Sequence, residues 1–219
     1  HRFDMELDVD HCYLNIGDQD FSYGQVYRTI LRELFKKSGK TVLGDKEALA
    51  WTRIPSFLEM CPNGKVVVIL RDPRDVVVSF KKMTIAPAND YLIALFNVVD
   101  AVNHALMFKR KFPHQVHIVG FERLKLETEH ELRDLCDFLG LEFSEDMLRV
   151  EGFKDRLGNQ WDSSLAMSFE GETDWLAPVG RWQTLIDPED LFICQYIARD
   201  QISKMGLQLD IRHFGIDVF

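Results

Sequence analysis

Apolar side chains recur at helical spacing in four stretches of the chain. Residues 21–37 place Val26, Tyr27, Ile30, Leu31, Leu34 and Phe35 on one stripe. Residues 90–111 do so with Leu92, Leu95, Phe96, Val99, Val102 and Leu106. Residues 129–139 use Leu132, Leu135, Cys136 and Leu139, and residues 188–205 use Leu191, Cys194, Ile197 and Met205. Stripes of this period mark helices that bury one face. The last is the best punctuated: Asp187 is placed to cap, Pro188 suits the first turn and Gly206 follows the end. Between the helices lie β-branched runs. Residues 65–70 (KVVVIL) have the pattern of a strand covered on both faces. Residues 116–121 (VHIVGF) form a second run and residues 41–44 (TVLG) a shorter third. Strands alternating with helices predict an α/β protein with a parallel sheet. The stretch 150–187, with Gly152, Gly158, Gly171, Pro178 and Gly180, reads as a long loop on the domain, so residues 1–219 are expected to form a single domain.

Charge narrows the function. Lys+Arg 26 against Asp+Glu 35 leaves a net charge of −9, a poor balance for non-specific binding to nucleic acid or to anionic membranes. No run approaches the ~18 apolar residues of a membrane-crossing helix, so no membrane segment is expected. The start, HRFDMELDVD, has no signal-peptide core, which points to a cytoplasmic location. Cys12, Cys61, Cys136 and Cys194 are far apart and unclustered. That spacing argues against a zinc site and a disulfide framework and for reduced core thiols.

The segment richest in chemistry is KVVVILRDPRDVVVSF, residues 65–80. A strand ends at Leu70, which puts Arg71 at its carboxyl end, where open α/β sheets bind ligands. Asp72 and Pro73 read as N-cap and first helical residue, with Asp75 at the third position. Ser79 lies one turn beyond Asp75. A guanidinium and a hydroxyl so placed beside a helix N-terminus suit a phosphate. The same residues also admit a purely structural reading, with Arg71 and Arg74 paired to Asp72 and Asp75.

RDPRDVVVS resembles the 3′-phosphate-binding motif of sulfotransferases that use 3′-phosphoadenosine 5′-phosphosulfate (PAPS). Three weaker segments follow in the order of that family. They are GDK at residues 44–46, FERL at 121–124 before a helix ending DFLGL, and GRW at 180–182 before the last helix. The resemblance spans about residues 41–207. It implies a P-loop NTPase-like, three-layer α/β/α fold. It also implies transfer of a sulfuryl group from PAPS to a hydroxyl or amine, with PAP (the desulfated nucleotide) as product and no metal. Carried over, Arg71 and Ser79 bind the 3′-phosphate, and Phe121 and Trp182 border the nucleotide. Gly180 shapes the closing loop, in which Arg181 supplies positive charge. Lys46 steadies the transferring group, and Glu47 is either the base or a solvated carboxylate. The acceptor is expected to be a small molecule or a glycan.

Several places depart from the family pattern. No 5′-phosphosulfate loop precedes residue 20, so the natural chain is expected to be longer at its N-terminus, with the central first strand missing here. FKKSGKT, residues 35–41, mimics a phosphate loop, yet Leu34 stands where a Walker A glycine belongs, and the segment follows a helix rather than a strand. The family's catalytic His has no counterpart beside Lys46, and Trp175, Leu176 and Ala177 stand where Arg-Lys-Gly is common. His104, on the helix at residues 90–111, either faces a cleft or is structural. Trp161, Phe169 and Trp175 either wall an acceptor pocket or pack a core. Acceptor choice is expected to lie in residues 84–92 and 150–180. Two other readings are a PAP-binding relative without turnover and a P-loop kinase-like phosphotransferase, the latter weakened by the lack of a sound Walker A.

Overall fold

The computed structural model describes residues 8–16, 22–35, 42–81, 90–149 and 179–210. The chain divides into two compact units, His1–Lys65 and Val66–Phe219. Trp161, Phe169, Trp175, Leu176 and Ala177, most of the FKKSGKT segment, and most of both expected acceptor loops lie outside the described residues.

The first unit holds α1 (Val9–Ile16), α2 (Tyr23–Phe35) and α3 (Ile54–Met60). The α2 stripe meets α3 through Tyr27, whose ring sits edge-on to Phe57 at 6.4 Å. The Arg28 guanidinium donates to the Met60 carbonyl and ties the same pair of helices. Residues 42–44 adopt no strand, contrary to the expectation for TVLG. Val42 and Gly44 are exposed there, so no buried face holds that short run in a sheet.

The second unit begins with β1 (Val66–Leu70) and α4 (Pro73–Lys81). Then come α5 (Asp90–Lys111), β2 (Val116–Gly120), α6 (Phe121–Leu126), α7 (Thr128–Leu139), α8 (Trp182–Leu185) and α9 (Pro188–Lys204). Among the described residues the sheet has two strands, β1 and β2, which are parallel and pair Val66 with Val116 through Leu70 with Gly120. Helices cover both faces. On one, Leu70, Val68 and Ile118 pack on Val102 and Ala105 of α5. On the other, His117 stacks on Phe138 of α7 with ring centroids 4.9 Å apart. Residues 117 and 118 project to opposite faces, as strand alternation requires. The α/β class with a parallel sheet therefore stands. The expectation that β1 is covered on both faces does not hold along its whole length, because Ile69 is 60% exposed.

A second core joins α4, α5 and α9. Val77, Leu95, Cys194, Ala198 and Ile202 are fully buried in it. Burial pushes the Cys194 thiol up to about 12, so it stays protonated and packs as a small apolar group. All four cysteines are free. Gly206 ends α9 with a positive φ of 75°, while the Leu207 N–H reaches back to the Ile202 carbonyl at 3.0 Å. Such a turn favours glycine.

α5 bears on the expectation of no membrane segment. By length and composition, its residues 91–111 form a helix long and apolar enough to cross a membrane. Asn97, Asp100, Asn103 and His104 break up the apolar run, yet its mean hydropathy stays at 1.5. Its Leu95, Val102 and Ala105 are buried between the sheet and the neighbouring helices, which gives the apolarity a core to serve. His104 accordingly bonds its own helix, with Nδ1 2.9 Å from the Asp100 carbonyl.

Candidate functional site

Leu70 and Gly120 are register partners, so the chain leaves β1 and β2 side by side. Arg71 and Phe121 are the next residues, and the Arg71 guanidinium lies 4.6 Å over the centre of the Phe121 ring. A guanidinium on an aromatic face keeps its in-plane N–H groups pointing outward, which suits a flat or tetrahedral anion. This is the carboxyl end of the parallel strands, the expected place for a ligand in such a sheet.

α4 starts beside Arg71. The Asp72 carboxylate accepts the Arg74 N–H at 2.9 Å, and Pro73 takes the first helical position, as the sequence suggests. Asp72 also grips the Arg74 side chain, with Nε to Oδ1 at 2.9 Å and Nη2 to Oδ2 at 2.7 Å. Arg74 Nη1 donates to the Gln208 carbonyl at 2.7 Å, and its guanidinium lies 3.8 Å over the Trp182 ring. Both members of this pair are buried, so Arg74 is a fastening rather than a ligand-facing cation. The structural reading of the motif therefore holds for Arg74 with Asp72. It does not hold for Asp75, which has a different partner.

Asp75 binds the loop that carries GRW. Its Oδ2 accepts the Gly180 N–H and its Oδ1 the Trp182 N–H, each at 2.9 Å. Gly180 has a φ of 75°, a turn that glycine makes without strain. Trp182 opens α8 and is buried against Val78 and Leu191. Arg181, half-buried, lies between the two tethered residues. Ser79 is buried one turn beyond Asp75 on α4. Arg71, Ser79, Phe121, Gly180, Arg181 and Trp182 thus all belong to the second unit, on or directly beside α4 and the two strand ends. Lys46 and Glu47 belong to the first unit, where both are exposed just before a turn in which Leu49 takes a φ of 60°. Nearby, the Tyr27 hydroxyl donates to the Asp45 carboxylate at 3.4 Å.

Two site residues escaped the sequence reading. Glu122 Oε1 accepts the Asp72 N–H at 2.8 Å, joining the two strand ends. Burial holds its carboxyl above the ordinary value, and the Asp72 and Asp75 carboxylates add to this while two backbone N–H groups oppose it. Lys81, at the end of α4, donates to Asp187 at 2.8 Å and also to Asp190. The Asp187 carboxyl is held below its ordinary value, first by the Lys81 bond. Asp187 therefore stands at the N-cap of α9 without a side-chain cap bond, contrary to expectation, because Lys81 takes it. The sequence signals were slight: Glu122 lies two residues past the end of β2, and Lys81 is the basic residue that ends α4. Among the described residues no cluster of three or more His, Cys, Asp or Glu side chains could hold a metal ion.

Comparison with known proteins agrees with this architecture. Residues 6–145 match the pattern that defines the sulfotransferase family. A putative protein-tyrosine sulfotransferase of Caenorhabditis briggsae is 25% identical over 140 residues, 61% of this chain and 50% of that protein. The chain thus spans about half the length of that relative. Among solved structures, the sulfotransferase domain from the curacin biosynthetic pathway is similar in fold, with a TM-score of 0.61 and 20% identity. The alignment covers 88% of this chain and 70% of that one. A retinol dehydratase in complex with androsterone and the inactive cofactor PAP aligns with a TM-score of 0.51 and 18% identity, over 92% of this chain and 63% of that one.

Proposed function

This chain belongs to the sulfotransferase family, and from that premise we propose that it moves a sulfuryl group from PAPS to a hydroxyl or amine acceptor. The observation that carries the reading is the pairing of Arg71 with Phe121 at the carboxyl ends of two adjacent parallel strands. The donor set fits the nucleotide. A guanidinium beside a helix N-terminus, with a buried hydroxyl on the same helix, matches a 3′-phosphate. An aromatic ring beside them matches a purine. Arg71 and Ser79 would hold the phosphate, and Phe121 would lie against the base. Gly180 and Trp182, tethered to Asp75, would keep Arg181 over the site.

PAPS supplies an activated sulfuryl group, and its in-line transfer needs alignment and charge neutralisation more than covalent help from the protein. This chain's part is to bind and orient the nucleotide through Arg71 and Ser79. The family resemblance gives Lys46 the role of steadying developing negative charge, and leaves Glu47 as either the base or a solvated carboxylate. Acceptors include small molecules and glycans. The name of the C. briggsae relative adds tyrosine peptides to those worth assaying.

The test is transfer from sulfur-labelled PAPS to a panel of phenols, sugars, amines and tyrosine peptides, with release of PAP followed in parallel. Labelled product that disappears with Arg71→Ala supports the reading. Nucleotide binding without transfer to any acceptor favours a relative that has lost turnover. Magnesium-dependent phosphate transfer from ATP instead of sulfuryl transfer would replace the reading with a kinase.

A further inference from the structure

The N-terminus of α4 departs from the usual arrangement. A helix N-cap residue has an N–H of its own that needs an acceptor, and in a capping box the acid at the third helical position reaches back to take it. Here the third-position acid is Asp75, and both of its oxygens are committed to the Gly180 and Trp182 N–H groups. The Asp72 N–H is taken instead by Glu122, fifty residues away and directly after Phe121. Residues 121 and 122 therefore hold residues 71 and 72 as a pair. Phe121 supports the Arg71 guanidinium, and Glu122 holds the peptide group that joins Arg71 to Asp72.

We propose that Glu122 is a positioning residue that completes the α4 cap in trans and sets the backbone from which Arg71 reaches the nucleotide phosphate. The inference rests on the PAPS reading above and deepens it. Fixing that peptide group fixes ψ of Arg71, and a long side chain turns a small backbone rotation into a displacement of ångströms at the guanidinium. Phosphate recognition through paired N–H groups does not tolerate such a displacement. The arrangement also leaves Asp75 free to hold the loop. A cap closed within α4 would need Asp75 itself, and the GRW segment would lose its anchor.

The experiment compares PAP with adenosine 5′-phosphate, which lacks the 3′-phosphate, by calorimetric titration of the native chain, Glu122→Gln and Glu122→Ala. Urea midpoints of all three check folding, and amide exchange is followed at Asp72. The glutamine keeps an oxygen acceptor for the Asp72 N–H, and the alanine does not. Glu122→Ala should lose roughly tenfold in PAP affinity while its affinity for adenosine 5′-phosphate holds, and Glu122→Gln should stay within about twofold of native for both. Exchange at Asp72 should rise in the alanine variant alone. If the native chain prefers PAP and Glu122→Ala prefers it equally, the positioning role is overturned and the nucleotide reading survives. If the native chain does not distinguish the two nucleotides, the 3′-phosphate reading fails and this inference fails with it. Native exchange at Asp72 in the alanine variant would overturn the hydrogen bond itself.

Discussion

Removing the Asp75 carboxylate should release the GRW loop from α4. Asp75 is 1% exposed, and each of its oxygens accepts one backbone N–H at 2.9 Å. Hydrogen bonds to a charged group contribute about 1.5–3 kcal/mol each, so the two together set an upper range of about 3–6 kcal/mol. Gly180 is only half-buried, and its N–H can turn to water once freed. Trp182 N–H cannot do so readily, because its residue is packed under Arg74, Val78 and Leu191. Asp75→Ala should therefore cost about 3 kcal/mol, near the lower end of that range. Asp75→Asn keeps one acceptor and turns an amide N–H towards the other donor, so it should cost at least half as much. Equilibrium unfolding in urea reads both values as a fall in midpoint at constant slope, and limited proteolysis near residue 180 should quicken in the same order. An Asp75→Ala variant within about 0.5 kcal/mol of native, the usual spread for an inert surface change, would refute the assignment of Asp75 as the loop's anchor.

Three further outcomes follow from the same geometry. Arg74→Ala leaves the buried Asp72 carboxylate uncompensated and should cost about 3–5 kcal/mol by urea unfolding, with a larger effect than Arg74→Lys. Ser79→Ala should change stability by less than about 1 kcal/mol yet weaken PAP by about tenfold, separable by pairing unfolding with calorimetry. Lys81→Met should destabilise the chain at neutral pH by removing the partner of Asp187 and Asp190. Because the Asp187 carboxyl is held below its ordinary value, its contribution is present above about pH 4 and lost as pH falls through the lowered value. The stability gap between native and Lys81→Met should accordingly narrow in acid, and unfolding midpoints measured between neutral and acidic pH check this.

What could be read from the residues was local. The end of β1 at Leu70, the Asp72 cap, Pro73 at the helix start and Gly206 past the end of α9 each depend on a few consecutive residues, and each appears as expected. The Asp72–Arg74 pair is two residues apart and was foreseen as one option. The contacts that assemble the site are long-range. Asp75 meets residues more than a hundred positions away, and Glu122 meets Asp72 across fifty. Spacing carries no information about such pairs, so the role of Glu122 and the stacking of Trp182 beneath Arg74 were not legible. Asp187 shows a competition invisible in a local window, because a lysine from α4 displaces its cap bond. The short TVLG run fails as a strand for a related reason, since β propensity expresses itself only where a pleated surface is half-buried.

The most direct test of the central claim is calorimetric titration of the 219-residue chain with PAP, beside Arg71→Ala and with ADP as the competing nucleotide. If Arg71 reads a 3′-phosphate, PAP should bind more tightly than ADP. The alanine variant should then lose roughly 10- to 150-fold in PAP affinity, the worth of one charge-assisted contact, while its urea midpoint stays close to native. Equal binding of PAP and ADP, or PAP affinity untouched by Arg71→Ala in a folded chain, would contradict the account.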